Sequence, residues 1–307
     1  MNKRPMALII LSTYNGERFL KALLDSLLKQ DYTNFNVLIR DDGSHDGTLD
    51  ILQEYEILPN IKVIYEKNIG AKESFFKLLG KASSYDAQYI AFCDQDDVWM
   101  QGKLSKAISC LEQEVPRDVP GMYFSRYKIV DENLNIKGYS QIPKRGPSFA
   151  NSLVQNIVTG CTMVINRQAM LTVLKEIPRK VRMHDWWIYQ VVSAFGVVIY
   201  DSIPAIMYRQ HSTNVVGDRV NILSKWVHRL KRFLKQGHLP LIAEQAREFY
   251  RIFYEDLPVE RKQILYSFIF GRDYFFARVK YALHCPVYRQ TVAENLIFRI
   301  LIVLNRI

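Results

Sequence analysis

Three observations predict an α/β fold built on a mostly parallel sheet with helices on both faces. Short apolar runs alternate with amphipathic stretches through the N-terminal half of the 307 residues, which is the order that βαβ units produce. The runs are apolar nearly throughout, as strands covered on both faces are. Polar motifs then follow the ends of these runs, where ligands bind in open α/β sheets.

The elements follow in chain order. Ala7 to Leu11 reads as a buried strand. Glu17 to Leu28 is a helix, with Phe19, Leu20, Leu23, Leu24, Leu27 and Leu28 on its apolar side. Phe35 to Ile39 is the second strand, and Asp46 to Tyr55 the second helix, capped by Ser44 or Asp46. Ile61 to Tyr65, Lys72 to Leu79 and Gln88 to Phe92 continue as strand, helix and strand. Beyond Gly102 the pattern loosens. Met122 to Val130 reads as one strand, Asn151 to Ile157 as a short helix, and Cys161 to Ile165 as a strand. A helix over Asp185 to Phe195 and a strand over Val197 to Tyr200 close the series. Composition shifts most sharply near Val216 to Val220, so residues 1–218 are expected as the α/β domain and 219–307 as a basic, amphipathic helical region.

Composition narrows the class. With 49% hydrophobic and 12% aromatic residues the chain has material for a sizeable core and is not disordered. Cys93, Cys110, Cys161 and Cys285 are scattered without a CxxC pair, which argues against a disulfide scaffold or zinc site and for a reducing cytosol. The run Met6 to Leu11 is too short for a signal peptide, and no apolar stretch approaches the roughly 20 residues of a spanning helix. The net charge of +10 sits mainly at one end: from Asn221 onward fifteen Lys and Arg face seven Asp and Glu. Such a localised excess meets something anionic, nucleic acid or lipid headgroups.

The chemistry is carried by loops after the strands. Cys93-Asp94-Gln95-Asp96-Asp97 puts three carboxylates within four residues at the end of a buried strand. Crowded carboxylates raise one another's pKa unless a cation compensates, and Mg²⁺ or Mn²⁺ takes one or two carboxylates together with substrate phosphates. Alone, this is also the composition of a solvated acidic turn. Ser12-Thr13-Tyr14-Asn15-Gly16 follows the first strand, where Ser12 and Tyr14 are placed to touch a base or ribose; an ordinary turn with a helix cap has the same composition. Arg40-Asp41-Asp42-Gly43-Ser44 follows the second. A carboxylate there is suited to accept from the ring N–H of uracil or thymine, and a plain Asp-Gly turn is the alternative. Asn68-Ile69-Gly70 follows the third strand. Four loops on one sheet edge make a specific signal where each alone is weak.

These motifs, in this order, resemble family 2 glycosyltransferases of the GT-A fold over roughly the first two hundred residues. The resemblance implies an inverting transfer from a nucleotide sugar with Mn²⁺ or Mg²⁺. It implies base contacts at Ser12, Tyr14 and Asp42, ribose or donor contact at Asp94, and metal binding at Asp96. Asn15, Asn68, Gly70 and Gln95 join the donor loops on the same grounds. His184-Asp185-Trp186-Trp187 and Tyr208-Arg209-Gln210-His211-Ser212-Thr213-Asn214 are similar to bacterial rhamnosyltransferases of cell-wall, capsular and O-antigen polysaccharides. Many family 2 members carry Glu-Asp where this chain has His184-Asp185.

An inverting displacement needs one base for the acceptor hydroxyl and a positive partner for the departing diphosphate. Asp185 is expected as the base, at the start of a helix. His184, Trp186 and Trp187 are expected on the acceptor side, with the tryptophans as an apolar, sugar-stacking wall. His211 is expected as a further metal or diphosphate contact, and Arg209 either binds diphosphate oxygens or pairs with a carboxylate. Thr159-Gly160-Cys161 resembles a loop that shapes the acceptor side in related enzymes; a buried strand start is the alternative.

The C-terminal region has its own pattern. Ile222, Leu223, Trp226, Val227, Leu230, Phe233 and Leu234 share one helical face, flanked by Lys225, His228, Arg229, Lys231, Arg232 and Lys235, and Asn295 to Ile307 is again apolar with Arg299 and Arg306. That is the pattern of a helix lying in a membrane interface, or of one packed on a second subunit. Nucleic acid is disfavoured, because the aromatics sit on the apolar stripe and no binding module is present. The expected function is transfer of L-rhamnose from dTDP-L-rhamnose to a lipid-linked saccharide, on the inner face of the plasma membrane. The rivals are a UDP-hexose or UDP-N-acetylhexosamine transferase and a catalytically degenerate sugar-binding protein.

Overall fold

Five consecutive apolar residues, Ala7 to Leu11, have no exposed surface, and around them the sheet is assembled. The computed structural model describes residues 5–210 and 240–307. The chain divides into two units. The first comprises Met1–Ile142, Val158–Ile177 and Met183–Thr213, and the second Pro143–Ile157, Pro178–Arg182 and Asn214–Ile307.

In the first unit the expected alternation is present. β1 (Ala7–Thr13), α1 (Glu17–Leu28), β2 (Phe35–Asp41), α2 (Thr48–Glu56), β3 (Ile61–Tyr65), α3 (Ala71–Ala82) and β4 (Tyr89–Asp94) follow one another. Next come β5 (Val98–Trp99), α4 (Lys103–Glu114), β6 (Gly121–Ser125), β7 (Lys128–Val130) and β8 (Ile136–Tyr139), then α5 (Phe149–Ser152), which belongs to the second unit. A 3₁₀ turn (Gly160–Thr162), β9 (Val164–Asn166), α6 (Arg167–Val173), α7 (His184–Phe195), β10 (Val197–Asp201) and β11 (Ile206–Arg209) complete the first unit. The main sheet runs β10-β6-β9-β4-β1-β2-β3, with every strand parallel except β9, which is antiparallel to both neighbours. This is a GT-A fold, in agreement with the expected class.

Register decides what the strand ends present. Ser12 stands opposite Arg40 on one side and Asp94 on the other, and Thr13 opposite Asp41. Because parallel strands end in register at one edge, residues more than eighty positions apart in the chain become neighbours there.

Three expected elements differ. The short helix expected over Asn151 to Ile157 is α5, over Phe149–Ser152, capped by Ser148, whose side chain accepts from Asn151 N–H. The single strand over Met122 to Val130 is two, β6 in the main sheet and β7 in a smaller sheet ordered β5-β11-β7-β8. The chain changes sheet at Arg126, whose N–H donates to Asp201 and whose carbonyl accepts from Ala205. The strand over Cys161 to Ile165 begins instead as the 3₁₀ turn, in which Thr162 and Met163 donate back to Thr159 and Gly160. Ser44 does not cap α2. Its hydroxyl accepts from Asn15, while Asp46 accepts from the N–H and hydroxyl of Thr48.

The second unit is helical: α5, α8 (Pro240–Phe253), α9 (Val259–Phe270), α10 (Phe275–Leu283) and α11 (Val292–Val303). Buried Ile242, Ala246, Phe249 and Phe253 recur at helical spacing along α8, and Phe149 of α5 packs on Phe249 with ring centres 5.5 Å apart. Polar ties anchor residues 143–157 to the last helices. Gln290 accepts from Arg145 N–H and donates to the carbonyl of Gly146, and Asn151 donates to the carbonyl of Tyr288. Among the described residues, no helix is long and apolar enough to cross a membrane. The expected amphipathic stretch Ile222 to Lys235, and His211, lie outside the described residues.

Candidate active site

Gln95 organises the first loop. Its Oε1 accepts from the Thr13 hydroxyl at 2.6 Å and from Tyr14 N–H at 2.8 Å, and its Nε2 donates to Tyr14 O at 3.0 Å. The amide thereby ties the turn after β4 to the turn after β1. Gly16 gives this amide room, since a Cβ there would lie 2.5 Å from Gln95 Oε1 and the glutamine would have to shift. Asn15 adopts φ 49° and takes part in a second tie, donating its N–H to Ser44 and accepting from His45 N–H. These ties leave the Tyr14 side chain exposed at the mouth of the edge.

Asp42 is buried at the end of β2. Its Oδ1 accepts from Ile69 N–H and its Oδ2 from Gly70 N–H, both at 2.8 Å, so the carboxylate holds the loop containing Asn68 and Gly70 against β2; the expected base contact at Asp42 is corrected, since the enclosed carboxylate has both oxygens engaged. The charge is met by Arg40, a residue to which the sequence reading gave no role. The fully buried guanidinium donates to Asp42, to Glu66 at 2.7 Å, to the Lys67 carbonyl at 2.8 Å and to Ser74 at 3.0 Å. Ser74 in turn shares a 2.6 Å hydrogen bond with Ser12. The first three loops and α3 thus form one network. Its signal in the sequence is an arginine at the end of an apolar strand, two residues before a carboxylate.

The acidic cluster divides by depth. Asp94 and Asp96 are half-buried, whereas Asp97 is fully enclosed. Burial, reinforced by the charges of Asp96 and Asp185, pushes Asp94 up to about 7. Burial likewise holds Asp97 well above the carboxylate range. Asp97 accepts from the backbone N–H of Arg209, which fastens β11 beneath the cluster. Asp94, Asp97 and Cys161 bring one oxygen or sulfur each to within 4.8 Å of one another. Lys103 lies nearby, fully buried, its Nζ donating to Cys161 O at 2.8 Å and standing 3.0 Å from the centre of the Trp99 ring. Burial pulls this amine down to about 7.

A divalent cation fits this constellation. Burial, with the nearby charges of Asp96 and Asp185, disfavours the ionised form of Asp94, and a cation would compensate both. The oxygen donors suit Mg²⁺ or Mn²⁺. Burial pushes the Cys161 thiol well up, and a soft sulfur is a poor partner for Mg²⁺ or Mn²⁺, so the carboxylate oxygens are the better donors.

Asp185 stands in the first turn of α7, half-buried, with Oδ1 accepting from Trp186 N–H at 2.7 Å. Its charge is one of those bearing on Asp94, which puts it beside the acidic cluster. Gly160 packs behind it, with space for a Cβ only 3.6 Å from that of Asp185. Arg209 is buried and aimed inward: Nε donates to Asp96 O at 2.9 Å, another arm to Glu132 O, and the guanidinium lies 4.4 Å from the Phe19 ring centre, which corrects the expected diphosphate contact to a hold on the backbone of the acidic turn.

The expected acceptor-side wall needs correction. His184, Trp186 and Trp187 are 3%, 5% and 0% exposed, so they offer a sugar almost no surface. Every helical face of α7 except that of Asp185 is packed, because the helix crosses the interior. His184 is sandwiched instead by Phe75, ring centres 4.1 Å apart, and Phe92 at 5.8 Å. Burial pulls its imidazole down to about 3. The unfolded histidine, near 6.5, then binds a proton that the native one refuses, so this residue costs stability as pH falls from about 6.5 to about 3. His184→Phe should flatten that acid limb, with the difference between the two proteins changing by on the order of 4 kcal/mol across the window. Urea unfolding at a series of pH values reads the slope whatever offset the substitution introduces. Parallel slopes would show that His184 titrates normally.

Fold and site together define a sugar-transferase scaffold of the GT-A kind. The model for Glycosyl transferase family 2 matches residues 8–174, and the chain belongs to that family. It is 29% identical over 227 residues to the dTDP-rhamnosyl transferase RfbG of Shigella flexneri, covering 70% of this chain and 76% of the relative. It is 38% identical over 170 residues to the putative teichuronic acid biosynthesis glycosyltransferase TuaG of Bacillus subtilis, covering 54% of this chain and 64% of that one. Among solved structures it resembles S. aureus TarS 1-349 in complex with UDP-GlcNAc, with a TM-score of 0.60 at 19% identity over 97% of this chain and 81% of that chain.

Proposed function

We propose that this glycosyltransferase transfers L-rhamnose from dTDP-L-rhamnose, with inversion, to a lipid-linked saccharide in bacterial surface polysaccharide synthesis. The observation that carries the reading is the gathering of Ser12, Asp42, Asp94, Asp96 and Asp185 around one sheet edge by strand register and by the first turn of α7. The likeness to RfbG across most of both chains favours the rhamnosyl donor.

In this reading Tyr14, Ser12 and the loops held by Asp42 receive the base and ribose, and Asp94 meets the donor. Asp96, with Asp94, would hold Mg²⁺ or Mn²⁺, which when bound neutralises charge on the departing diphosphate. Asp185 takes the proton of the acceptor hydroxyl. The acceptor oxygen then bonds the anomeric carbon as the bond from that carbon to the diphosphate oxygen breaks, and the electron pair leaves with the diphosphate. Arg209 acts from behind, fixing the backbone of Asp96. The chain works at an anionic membrane surface, on its inner face, reached through the basic helical region.

Uracil and thymine present the same ring N–H, so the UDP-hexose alternative is separated by experiment. A panel of dTDP-rhamnose, UDP-glucose, UDP-galactose and UDP-GlcNAc with a lipid-linked acceptor should give product only from dTDP-rhamnose, and only with Mn²⁺ or Mg²⁺ present. Turnover of a UDP-hexose with none of dTDP-rhamnose would remove the preferred donor. Transfer that survives chelation and Asp96→Ala would remove the metal assignment.

A further inference from the structure

α11 bears an apolar ridge on its outer side. Val292, Leu296, Ile300 and Leu304, the last being the residue that caps the helix, recur at every fourth position and are 88%, 61%, 49% and 60% exposed. Residues four apart lie one above the other on a helix, so the four make a single strip. The opposite side is taken up by the core through Phe298, Leu301 and Ile302. α10, which packs on α11, adds Phe276 and Leu283, 77% and 67% exposed and seven residues apart on one face. Exposed apolar area of this extent marks an interaction surface.

The surrounding charge identifies the partner. From Gly271 to Ile307 six cations (Arg272, Arg278, Lys280, Arg289, Arg299, Arg306) face two acids, Asp273 and Glu294. Glu294 is drawn into the end of α11, where it accepts from Thr291 and stands 4.0 Å from Arg289. Lys280, Arg299 and Arg306 remain exposed beside the apolar positions. A second copy docked on the same patch would set these cations against their equivalents, because a two-fold contact places a surface on itself. An anionic lipid surface complements both features. At twelve residues α11 is about 18 Å long, against about 30 Å of bilayer hydrocarbon, so it has the length to lie in the interface and not to span.

We propose that the ridge of α11, with the exposed apolar positions of α10, is the surface on which this chain rests on an anionic lipid bilayer. The apolar side chains enter the boundary between headgroups and acyl chains, and Lys280, Arg299 and Arg306 meet lipid phosphates. The inference rests on the proposed membrane location and assigns it to particular residues.

The test is flotation of the full chain with vesicles of phosphatidylcholine alone or mixed equally with phosphatidylglycerol. The wild type should float with the mixed vesicles, less so at high salt, and not with phosphatidylcholine. Leu296→Ser/Ile300→Ser should lower partitioning about tenfold or more, and Arg299→Glu/Arg306→Glu about 25-fold or more. The positions are exposed, so thermal unfolding should confirm that each variant folds. Wild-type flotation with both variants floating equally well would overturn the surface and leave the membrane location standing. No wild-type flotation would remove both. A lipid-free dimer in sedimentation velocity, dissolved by Leu296→Ser/Ile300→Ser, together with absent flotation, would give the patch to a second copy.

Discussion

Asp185→Asn should yield a folded protein whose transfer rate falls by about 10²- to 10⁴-fold, the usual contribution of a positioned general base. The local structure should survive. In the first turn of α7 Oδ1 accepts from Trp186 N–H at 2.7 Å, and an asparagine oxygen can accept the same bond. What the substitution removes is the capacity to take a proton. The loss should therefore appear mainly in kcat, because Ser12 and the loops held by Asp42 are untouched. A matching far-UV spectrum and unchanged affinity for the nucleoside diphosphate complete the measurement. Near wild-type kcat in a folded variant would mean that another group accepts the proton.

The residue types that make the first unit were legible because its signals are local. Ala7 to Leu11 is apolar at every position, and all five residues are completely buried in β1. Glu17 to Leu28 carries its apolar residues at helical spacing, and α1 has those bounds. The motif loops were legible for a related reason, since each directly follows a strand. Depth was not legible. His184, Trp186 and Trp187 look like a sugar-binding cluster as a string, yet α7 has packed partners on nearly every side and encloses them. Hidden too was the change of sheet between β6 and β7, which depends on pairing with β10 and β11, strands that lie nearly eighty residues further on. α4 belongs with the legible elements, since Leu104, Ala107, Ile108 and Leu111 recur at helical spacing and are buried. The division of labour within Asp94 to Asp97 also came from tertiary structure. Only the arrival of β11 shows that Asp97 receives the Arg209 N–H and so faces inward.

At neutral pH, replacing Arg40 should cost much stability. Its side chain has no exposed surface, and it serves two carboxylates, a hydroxyl and a carbonyl at once. Arg40→Met keeps the length and apolar stem but leaves Asp42 buried without its cation. Breaking a buried ion pair from one side costs about 3–5 kcal/mol, because the abandoned charge remains desolvated. The N–H groups of Ile69 and Gly70 still hold Asp42 and place the expected loss towards the lower end of that range. Arg40→Lys separates charge from geometry. An ammonium restores a positive charge but lacks the planar fork that reaches Asp42 and Glu66 in different directions, so it should recover only part of the loss. Urea unfolding of the three proteins gives the ranking, wild type above Lys above Met. The donor side should respond in the same order, since Ser12 reaches Arg40 through Ser74 and the 68–70 loop reaches it through Asp42. A loss below about 1 kcal/mol for Arg40→Met would mean that packing alone holds the first three loops, and the network adds charge to the edge without fixing it.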